Sequence, residues 1–327
     1  MPAEWEPHAA TWLSWPRREG ISFPGLLDEV LPALAAMVRA LTPGERVCIN
    51  VCNAAHEKNA RAVLQANGAL NERVEFHHHL TDEPWCRDHG PVFLKNKSSR
   101  AIVDWDYNAW GGKYPPFEND NAIPARIASL RGLPVFTPHM VLEGGSIEVN
   151  GAGALLTTES CLLNPNRNPD LSREDIEQRL RDFLGAKDIL WLGEGIVGDD
   201  TDGHIDDLTR FVSADTVLTA VEPNPADPNH AALTENRRRL EALPFEVLEL
   251  PVPPPLHHEG ERLPASYANF YIGNETILLP VFDTPSDDIA SGILEDCFPG
   301  RTVTPIDCRT LLWGLGACHC LTQQEPL

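Results

Sequence analysis

Two thiols flank a histidine near the end of the chain, as Cys318, His319 and Cys320. Glycines precede these residues, and an apolar residue, a hydroxyl and two amides follow over residues 321–324. Glycine lets backbone segments approach closely, and a thiol among hydrogen-bonding groups on a short buried strand is a candidate nucleophile. The alternative is a core strand with two inert buried cysteines, which this stretch alone slightly favours.

An acidic stretch over residues 199–207 contains five aspartates and His204, and an apolar strand is predicted directly after it at 208–212. Carboxylates placed so closely repel one another unless a cation lies among them. Three interpretations compete. The stretch is a solvated acidic loop, a metal site, or a pocket for an organic cation in which His204 acts as acid and base.

A tryptophan and an aspartate occur together before another predicted strand, as Trp85 and Asp88. An aromatic face attracts a cation, and a carboxylate accepts hydrogen bonds from a guanidinium or ammonium group. A structural ion pair of Arg87 explains the same residues equally well. Trp110, just before two glycines, invites the same cation interpretation, although such a ring is more often packed in a core.

Glu143 precedes two glycines at the start of a further predicted strand. A buried glutamate there would orient a histidine, whereas an exposed glutamate in a turn is the locally simpler interpretation. A zinc site is not favoured, because one thiol among carboxylates and a single histidine is an unusual ligand set. Cys48, Cys52 and the histidines at 77–79 lack a partner at zinc-finger spacing. We therefore expect no metal and no other cofactor.

The composition restricts the partners. The chain has 327 residues and a formal net charge of −22, which argues against nucleic acid and anionic membranes and mildly favours cationic ligands. No apolar stretch of about 18 residues occurs, and the start has no basic and apolar export pattern. The eight cysteines are expected to be reduced thiols in the cytoplasm. The sequence leaves the oligomeric state open, a homo-oligomer included.

The elements that must position these residues form a repeat. The order strand, strand, helix, strand returns about every 55 to 60 residues, which suggests a propeller-like array. The predicted strands are 11–14, 46–51, 73–76, 91–94, 101–103, 134–136, 146–149, 154–157, 189–192, 208–212, 216–220, 245–248, 269–272, 276–279, 302–306 and 318–322. The predicted helices are 24–41, 53–66, 122–130, 172–185, 228–243 and 287–297. In the first of these helices, Pro32 is expected to kink the helix or to move its start.

Pairing of the last strand with residues 11–14 would complete a fifth unit and close a ring through the two chain ends. The alternative is an ordinary α/β domain whose regular spacing is accidental. The polar segments occupy similar places, at or near the first strand of a unit, and equivalent positions of a ring converge on its axis. This predicts a single acidic pocket, formed by Asp88, Glu143, His204, Asp206 and Cys320.

With these motifs in view, the chain resembles the agmatine deiminase and Porphyromonas-type peptidylarginine deiminase family of guanidine-modifying enzymes. The similar motifs run along essentially the whole chain: Glu6-Pro7-His8 with Thr11-Trp12, Trp85-x-Arg87-Asp88-x-Gly90-Pro91, Asn108-Ala109-Trp110-Gly111-Gly112-Lys113, Glu143-Gly144-Gly145, residues 163–169, Asp202-Gly203-His204-Ile205-Asp206, Ser266-Tyr267-Ala268-Asn269-Phe270, and His319-Cys320-x-Thr322-Gln323-Gln324. The resemblance implies a five-bladed α/β propeller of ββαβ units, with residues 1–327 as a single catalytic domain.

The resemblance also implies roles for individual residues. Cys320 would attack the guanidinium carbon, and Asp88 and Asp206 would hold its nitrogens. His204, supported by Glu143, would protonate the departing ammonia and then activate water against a covalent thiouronium intermediate. The substrate-binding residues would be Trp85, Trp110, Asp200 and Asp202.

The activity implied is hydrolysis of agmatine to N-carbamoylputrescine and ammonia, a step of polyamine biosynthesis toward putrescine. Family members commonly read Gly-Gly-Gly-Asn-Ile-His-Cys at the nucleophile, whereas Ala317 and Cys318 replace the amide and the aliphatic residue here, and Ala9-Ala10 stands where some relatives have Glu-Gly. Deimination of arginine or peptidyl-arginine is the alternative reaction. A metal hydrolase and a non-catalytic binding protein on the same fold stay open as well.

Overall fold

The computed structural model describes residues 1–327 and has a mixed α/β fold. Five separate sheets follow one another along the sequence. In each of them a first strand is antiparallel to a second, and a third strand is parallel to the second. The predicted order of strand, strand, helix and strand is therefore confirmed in all five units.

The sheets are numbered as units one to five, with the strands in their order across each sheet. They are Gln323–Pro326, His8–Ser14, Arg46–Val51 and Val74–His78; Val92–Lys95, Arg100–Val103 and Val135–Phe136; Glu148–Val149, Ala154–Thr158 and Asp188–Leu192; Thr209–Phe211, Thr216–Val221 and Glu246–Pro251; and Tyr271–Ile272, Thr276–Val281 and Thr302–Asp307. A hairpin of His257–His258 with Glu261–Arg262, which the sequence did not predict, stands apart from these sheets.

Six longer helices pack their apolar faces against the sheets. They are Leu27–Leu41, Ala54–Ala66, Ile123–Arg131, Arg173–Leu184, His230–Glu241 and Ser286–Cys297. Short helices that the sequence did not predict cover Glu118–Asn121, Glu159–Leu162 and Leu311–Gly314, and residues 109–112 form a turn with positive φ. No helix combines the length and the hydropathy that crossing a bilayer requires.

Local sequence explains where the helices begin. Ser172 and Asp175 form the predicted capping box, in which each side chain accepts a hydrogen bond from the other residue's backbone N–H. Asn53 caps the second helix by accepting from His56 N. The first helix begins at Leu27 rather than at residue 24, and Pro32 lies inside it rather than at its start. Its buried Val30 and Leu34 keep that turn against the core.

The chain ends pair as expected, but with a different segment. The strand that lies antiparallel to His8–Ser14 is Gln323–Pro326, not residues 318–322. Residues 318–321 form a turn, because distant residues rather than a neighbouring strand satisfy their backbone groups. His319 N donates to Asn269 O, and Arg87 N donates to Cys320 O. Thr322 Oγ1 donates to the carbonyl oxygens of Cys318 and His319. Cys320 therefore lies in a turn, and the prediction that it lies on a strand is wrong.

Short helical turns stand directly before the first strand of each sheet, and we call them the pre-strand turns. They are residues 318–321, Cys86–His89, Gly144–Ser146, Ile205–Asp207 and Tyr267–Asn269 for units one to five. Because they occupy the same place in each unit, they carry the polar segments that the sequence analysis singled out. The elements thus present five equivalent turns from which a site can be built.

One buried carboxylate joins these units. Glu4 Oε2 lies 3.0 Å from Arg87 Nη2 and 2.9 Å from His319 Nε2. Its Oε1 accepts from Arg210 Nη2 and from Ile272 N, both at 2.9 Å. These partners belong to units two, one, four and five. We call Glu4 and these partners the central ion cluster.

Candidate active site

The pre-strand turns bring Asp88, Glu143, His204, Asp206 and Cys320 close together, and Gly145 shows how closely. A Cβ atom on Gly145 would lie 2.6 Å from His204 Nδ1, 2.7 Å from Asp88 Oδ1 and 3.1 Å from Asp206 Oδ2. No side chain larger than hydrogen fits there without displacing a neighbour. The second glycine after Glu143 is therefore a condition for the convergence of three turns.

Cys320 is buried, with 6% of its surface exposed. Its sulfur lies 3.0 Å from Asn269 Nδ2 and 3.8 Å from Asp206 Oδ2. Burial raises the pKa of the Cys320 thiol well above its ordinary value, and the carboxylates of Asp206, Asp207 and Asp88 raise it further. The thiol is therefore protonated at neutral pH in the free protein, and a cation brought beside it would favour the thiolate.

Asp88 is fixed by two neutral donors. Trp110 Nε1 donates to its Oδ2 and Gly145 N donates to its Oδ1, each at 3.0 Å. Burial raises the pKa of Asp88, and the nearby carboxylates of Asp206 and Glu143 add to this, which outweighs what His204 does to lower it. Trp110, with its ring nitrogen on Asp88, is part of the site and not only a core ring.

His204 lies among three carboxylates, and neither of its ring nitrogens has a hydrogen-bond partner. Its Nδ1 is 3.7 Å from Asp88 Oδ1 and 4.0 Å from Asp206 Oδ1, and its Nε2 is 4.0 Å from Glu143 Oε2. Burial lowers the pKa of His204, but Asp88, Cys161 and Asp206 outweigh it, so that the pKa lies well above its ordinary value. The imidazole is thus held as a cation that can give up a proton.

Asp206 is held in its charged form. Its Oδ2 accepts a 2.7 Å hydrogen bond from His319 Nδ1. Burial raises the pKa of Asp206, but His319, His204 and Arg210 outweigh it and leave the pKa lowered. His319 in turn contacts Glu4, so the site is attached to the central ion cluster.

A cavity of about 160 Å³ reaches Asp88 and Cys320, whereas the buried side chains of Glu143, His204 and Asp206 are not part of its lining. Cys320, Asp88, Trp85 and Trp110 line it, and Asp200 lies along its wall. The charged lining residues are Glu83, Asp88 and Asp200, and all of them are acidic. Gly314 and Gly316 pack against Trp85, since a Cβ on Gly316 would come within 2.5 Å of its ring. The cavity thus offers aromatic and acidic walls to an elongated cation.

Asp202, which the sequence analysis placed in the substrate pocket, does not line this cavity. Its φ of +70° is left-handed, and its carboxylate contacts Lys113, Asn166 and Arg167. Arg167 Nε also donates to Glu143 Oε1 at 2.7 Å. Asp202 does not reach the cavity because its carboxylate pairs with Arg167. This ion pair supports the side chains of Arg167 and Glu143.

The sequence analysis gave no role to two residues of the site, Asn269 and Tyr114. The repeat could have indicated Asn269. Asn269 belongs to the fifth pre-strand turn. The equivalent turns of other units contain Asp88 and Asp206 or directly follow Glu143. Its side chain contacts Cys320 directly. Tyr114, whose hydroxyl donates to Asp200 Oδ2, lies in a loop that follows no repeat and could not be found in that way.

Two side-chain clusters have ligand atoms within 4.8 Å of one another. They are Glu143, Cys161 and His204, and Cys48, Glu75 and His77. Each cluster already holds a guanidinium. Arg167 pairs with Glu143, and Arg131 Nη2 lies 3.1 Å from Cys48 Sγ. A permanent positive charge beside the donor atoms opposes a metal cation, so neither set fits a metal well.

The chain is similar to known proteins along its whole length. The family model of the Porphyromonas-type peptidyl-arginine deiminases matches residues 1–326. The agmatine deiminase of Ectopseudomonas mendocina (strain ymp) is 38% identical over 356 aligned residues, covering 100% of this chain and 95% of that protein. Two solved structures superpose with a TM-score of 0.92 at 30% identity. One is a cysteine-to-serine variant of C. jejuni agmatine deiminase with substrate bound, and the match covers 99% of this chain and 95% of that protein. The other is the agmatine deiminase of Enterococcus faecalis, and the match covers 100% of this chain and 95% of that protein.

Proposed function

Because the chain belongs to the Porphyromonas-type peptidyl-arginine deiminase family, we propose that it deiminates agmatine to N-carbamoylputrescine and ammonia. It is a hydrolase of the C–N bond of a guanidine group. Curated relatives and solved structures of high similarity are named agmatine deiminases, and the acidic cavity supports a substrate with a second positive charge.

The observation that carries the proposal is a set of buried polar atoms without a hydrogen-bond partner beside a thiol. The acceptors among them are Glu143 Oε2 and Asp206 Oδ1, which lie beside the charged ring of His204. Leaving such groups unpaired is costly, and a planar guanidinium carries several N–H donors in a fixed plane. A guanidinium placed there would pair with the carboxylates and bring its carbon toward Cys320.

In the first step proposed, the positive charge of the bound substrate lowers the pKa of the Cys320 thiol, the thiol proton passes to solvent, and the thiolate attacks the guanidinium carbon. A C–S bond forms, and His204 donates a proton to the departing nitrogen as the C–N bond breaks. Ammonia leaves, and a thiouronium remains attached to Cys320. Asp88 and Asp206 hold the nitrogens during attack, so the carbon stays aligned with the sulfur.

In the second step, His204 has lost its proton and takes one from a water molecule. The water oxygen bonds to the thiouronium carbon and the C–S bond breaks. The hydroxyl proton of the adduct passes to the leaving sulfur as the carbonyl forms, which restores the Cys320 thiol. The product carries a ureido group in place of the guanidine. Dividing the hydrolysis into two steps is the usual gain of covalent catalysis, and Glu143, 4.0 Å from His204, favours the imidazolium in each half-reaction.

The cavity walls select among guanidines. The amine at the far end of agmatine would lie near Asp200 and the ring of Trp85, both of which favour a cation. Free arginine would bring a carboxylate to the same wall, where Glu83, Asp88 and Asp200 are the charged lining residues. Like charges there disfavour free arginine, and a peptide-bonded arginine lacks the second positive charge of agmatine. Deimination of arginine or peptidyl-arginine is therefore the second candidate.

We also propose that the five units are blades of a propeller and that residues 1–327 form one catalytic domain. Contacts of the first strands with the first strand of a neighbouring unit, or with the residues just before it, support this arrangement. Gln323 Nε2 donates to Pro91 O, Phe211 N donates to Glu148 Oε1, and Arg210 donates to Ala268 O. All eight cysteines are free, which supports an assignment to the cytoplasm, where thiols stay reduced.

The test is ammonia release by the purified protein after treatment with EDTA. Agmatine, free arginine and a peptidyl-arginine are compared, with Cys320→Ala measured alongside. We expect the wild-type protein to release ammonia from agmatine. The rate for Cys320→Ala should be at least ~1,000-fold lower, as for other covalent nucleophiles. Turnover of arginine alone would contradict the substrate, an active variant would contradict the nucleophile, and inhibition by EDTA would favour a metal hydrolase. No release from any of the three would favour a binding protein.

A further inference from the structure

Cys318, the second cysteine beside His319, has no part in the proposed mechanism, and its sulfur contacts another thiol. Cys308 Sγ lies 3.7 Å from Cys318 Sγ. Both side chains are fully buried, and both cysteines are free. The sulfurs of a disulfide are about 2.05 Å apart, so these two need to approach each other by less than about 2 Å to form one.

The backbone holds the two thiols in this contact. Cys308 directly follows the strand Thr302–Asp307, and its carbonyl oxygen accepts from Leu312 N at 2.8 Å. The carbonyl oxygen of Cys318 accepts from Thr322 Oγ1 at 3.0 Å. The two sulfurs therefore meet between two anchored segments, and the contact does not depend on the freedom of an exposed side chain.

The segment between the two thiols forms part of the cavity wall. Residues 313–316 line the cavity, and Cys320 follows Cys318 by two positions in the same pre-strand turn. A bond between Cys308 and Cys318 would close a short loop around this wall. It would also pull on the turn that carries Cys320.

The contact between the thiols determines what an oxidant would produce. A peroxide first converts a cysteine to a sulfenic acid, which a neighbouring thiol captures as a disulfide before further oxidation. Burial raises the pKa of the Cys308 thiol well above its ordinary value, and the neighbouring Cys318 thiol and the charge of Asp307 raise it further. Cys308 is therefore a poor first nucleophile, but it retains a proton for a leaving hydroxide.

We propose that Cys308 and Cys318 are a modification site, at which hydrogen peroxide converts the two thiols into a disulfide that reversibly inactivates the protein. Cys318 sulfur attacks one peroxide oxygen, the O–O bond breaks, and the leaving hydroxide takes the Cys318 proton to become water. Cys308 sulfur then attacks the sulfur of the resulting sulfenic acid. The S–O bond breaks, and the hydroxide leaves as water with the Cys308 proton. Two electrons pass from the thiols to the peroxide, which is reduced to two water molecules.

The loss of activity rests on the proposed function. Drawing the sulfurs together displaces Cys318 and with it the turn that carries Cys320. A displacement of about 1 Å at a reacting group lowers turnover about 100-fold. We therefore expect kcat/KM for agmatine to fall at least about tenfold in the oxidised protein and to return on reduction with dithiothreitol.

The experiment treats the full, reduced protein with hydrogen peroxide and blocks the remaining thiols with iodoacetamide in denaturant. Mass spectrometry without reduction then maps the cysteines. We expect a peptide pair joined through Cys308 and Cys318, whereas Cys161, which is equally buried but lies beside Glu143 and His204, stays a thiol. A linkage through Cys320, or oxidation of Cys320 without the expected linkage, overturns the inference.

Cys308→Ala and Cys297→Ala are compared by ammonia release from agmatine before and after peroxide. Cys297 is the matched control, because it is only partly buried and lies at the end of the helix Ser286–Cys297. We expect the control to lose and regain activity as the wild type does, and Cys308→Ala to keep its turnover under the same treatment. An equal, reversible loss in Cys308→Ala overturns the inference, since the sensitive thiol would then lie elsewhere.

If Cys308→Ala does not fold, the wild-type protein supplies the answer. The linked fraction and the lost activity are expected to increase with the same time course, and a linked protein with full turnover overturns the inactivation. The linkage is also expected in Cys320→Ala, because Cys320 takes no part in it. A reduced wild-type protein without agmatine turnover would contradict the proposed function while the linkage still formed, so the two failures are distinguishable.

Discussion

Asp206 has two opposed effects on the sulfur of Cys320. Its Oδ2 atom lies 3.8 Å from Cys320 Sγ, and its negative charge helps to raise the pKa of the thiol. The same charge attracts the guanidinium whose arrival would lower that pKa again. If the proposed roles hold, the thiol is expected to be unreactive without substrate, because the carboxylates that would bind the cation also raise the pKa of Cys320.

Asp206→Asn separates the two effects. Because the pKa of Asp206 is lowered, the carboxylate is charged at neutral pH, and the variant removes a full charge there. The pKa of Cys320 should fall, so alkylation of the free protein at pH 7 should become faster, by about tenfold or more. Turnover of agmatine should fall by about 100-fold or more, because a charge-assisted hydrogen bond to the substrate is lost.

The measurement for this variant pairs iodoacetamide kinetics with ammonia release. Asp287→Asn serves as the control, since Asp287 also accepts several hydrogen bonds, from Tyr267, Phe282 and Thr284, but lies in the helix Ser286–Cys297 and not in a pre-strand turn. We expect this control to change neither rate beyond about twofold. Slower alkylation in Asp206→Asn would show that the charge of Asp206 does not control the thiol.

For single residues, the sequence predicted which residues belong to the site better than it predicted where their side chains point. The repeat and the family motifs placed Asp88, Glu143, His204, Asp206 and Cys320 together. Asp200 and Asp202 are two positions apart, and only the first lines the cavity. The left-handed backbone at Asp202 and its ion pair with Arg167 decide this, and neither follows from the order of the residues. The roles of the convergent side chains stay predictions until they are tested by substitution.

The pre-strand turns explain at the scale of elements why the site tolerates so little change. Each turn ends at a strand of its own sheet, so its position is set by a rigid element on one side. The third turn passes so close to two others that its second residue, Gly145, has no room for a side chain. Its φ is not in the left-handed region, which means that space rather than backbone freedom requires glycine there.

Gly145→Ala is therefore expected to displace His204 and Asp88, which would lie 2.6 and 2.7 Å from the new Cβ. We expect kcat/KM for agmatine to fall at least about 100-fold, since a displacement of about 1 Å at a reacting group has that effect. The free energy of unfolding should fall by about 1 to 3 kcal/mol through overpacking. Ammonia release and urea denaturation measure the two quantities.

Gly292→Ala is the matched control for this change. Gly292 lies in the helix Ser286–Cys297 and has no atom within 4 Å of a built Cβ. We expect the substitution to leave turnover unchanged and to stabilise the protein by about 0.5 to 1 kcal/mol, because alanine has the higher helix propensity. A Gly145→Ala protein with wild-type turnover would show that the turn can move away and that the close approach is not required.

At this scale the sequence was informative about element types and their order, because helical and strand periodicities are local. It was wrong about the turn at residues 318–321. The groups that satisfy its backbone come from Asn269, 50 residues away from His319, from Arg87 N and from Thr322. A segment whose hydrogen bonds are mostly made by distant residues cannot be distinguished from a strand by its own residues.

Glu4 and its partners connect the whole molecule, and the contacts span up to 315 positions of the chain. Arg210 of this cluster also pairs with Glu148 of unit three at 3.1 Å. The carboxylate of a residue near the start of the chain therefore reaches, directly or through Arg210, groups of all five units. Long-range contacts of this kind are not encoded in any local pattern, which is why no motif pointed to Glu4.

Glu4→Gln tests the central ion cluster. The glutamine keeps one oxygen and presents N–H donors to groups that are themselves donors, so we expect the free energy of unfolding at pH 7 to fall by about 3 to 5 kcal/mol, as when one partner of a buried ion pair is removed. Turnover should fall as well, since His319 joins Glu4 to Asp206. Urea denaturation and ammonia release at pH 7 measure both effects.

The pH dependence of this loss distinguishes an ionic cluster from packing. Burial raises the pKa of Glu4, but Arg210, His319 and Arg87 outweigh it and leave the pKa well below its ordinary value. A carboxyl with a lowered folded pKa contributes stability that is complete above its unfolded pKa of about 4.3 and disappears as the pH falls through the folded pKa. The difference between wild type and Glu4→Gln should therefore be largest near neutral pH and shrink below about pH 4.

Glu57→Gln is the control for surface charge. Glu57 pairs with Arg61 and His78 near the surface, and exposed pairs contribute about 1 kcal/mol or less. A loss in Glu4→Gln no larger than that of Glu57→Gln would mean that the five units are held by their packed faces alone. A loss of unfolding free energy that is several times larger, and that diminishes in acid, would mean that the Glu4 carboxylate joins the ends of the chain to the middle units. It would also mean that Glu4, through His319, holds Asp206 in its charged form.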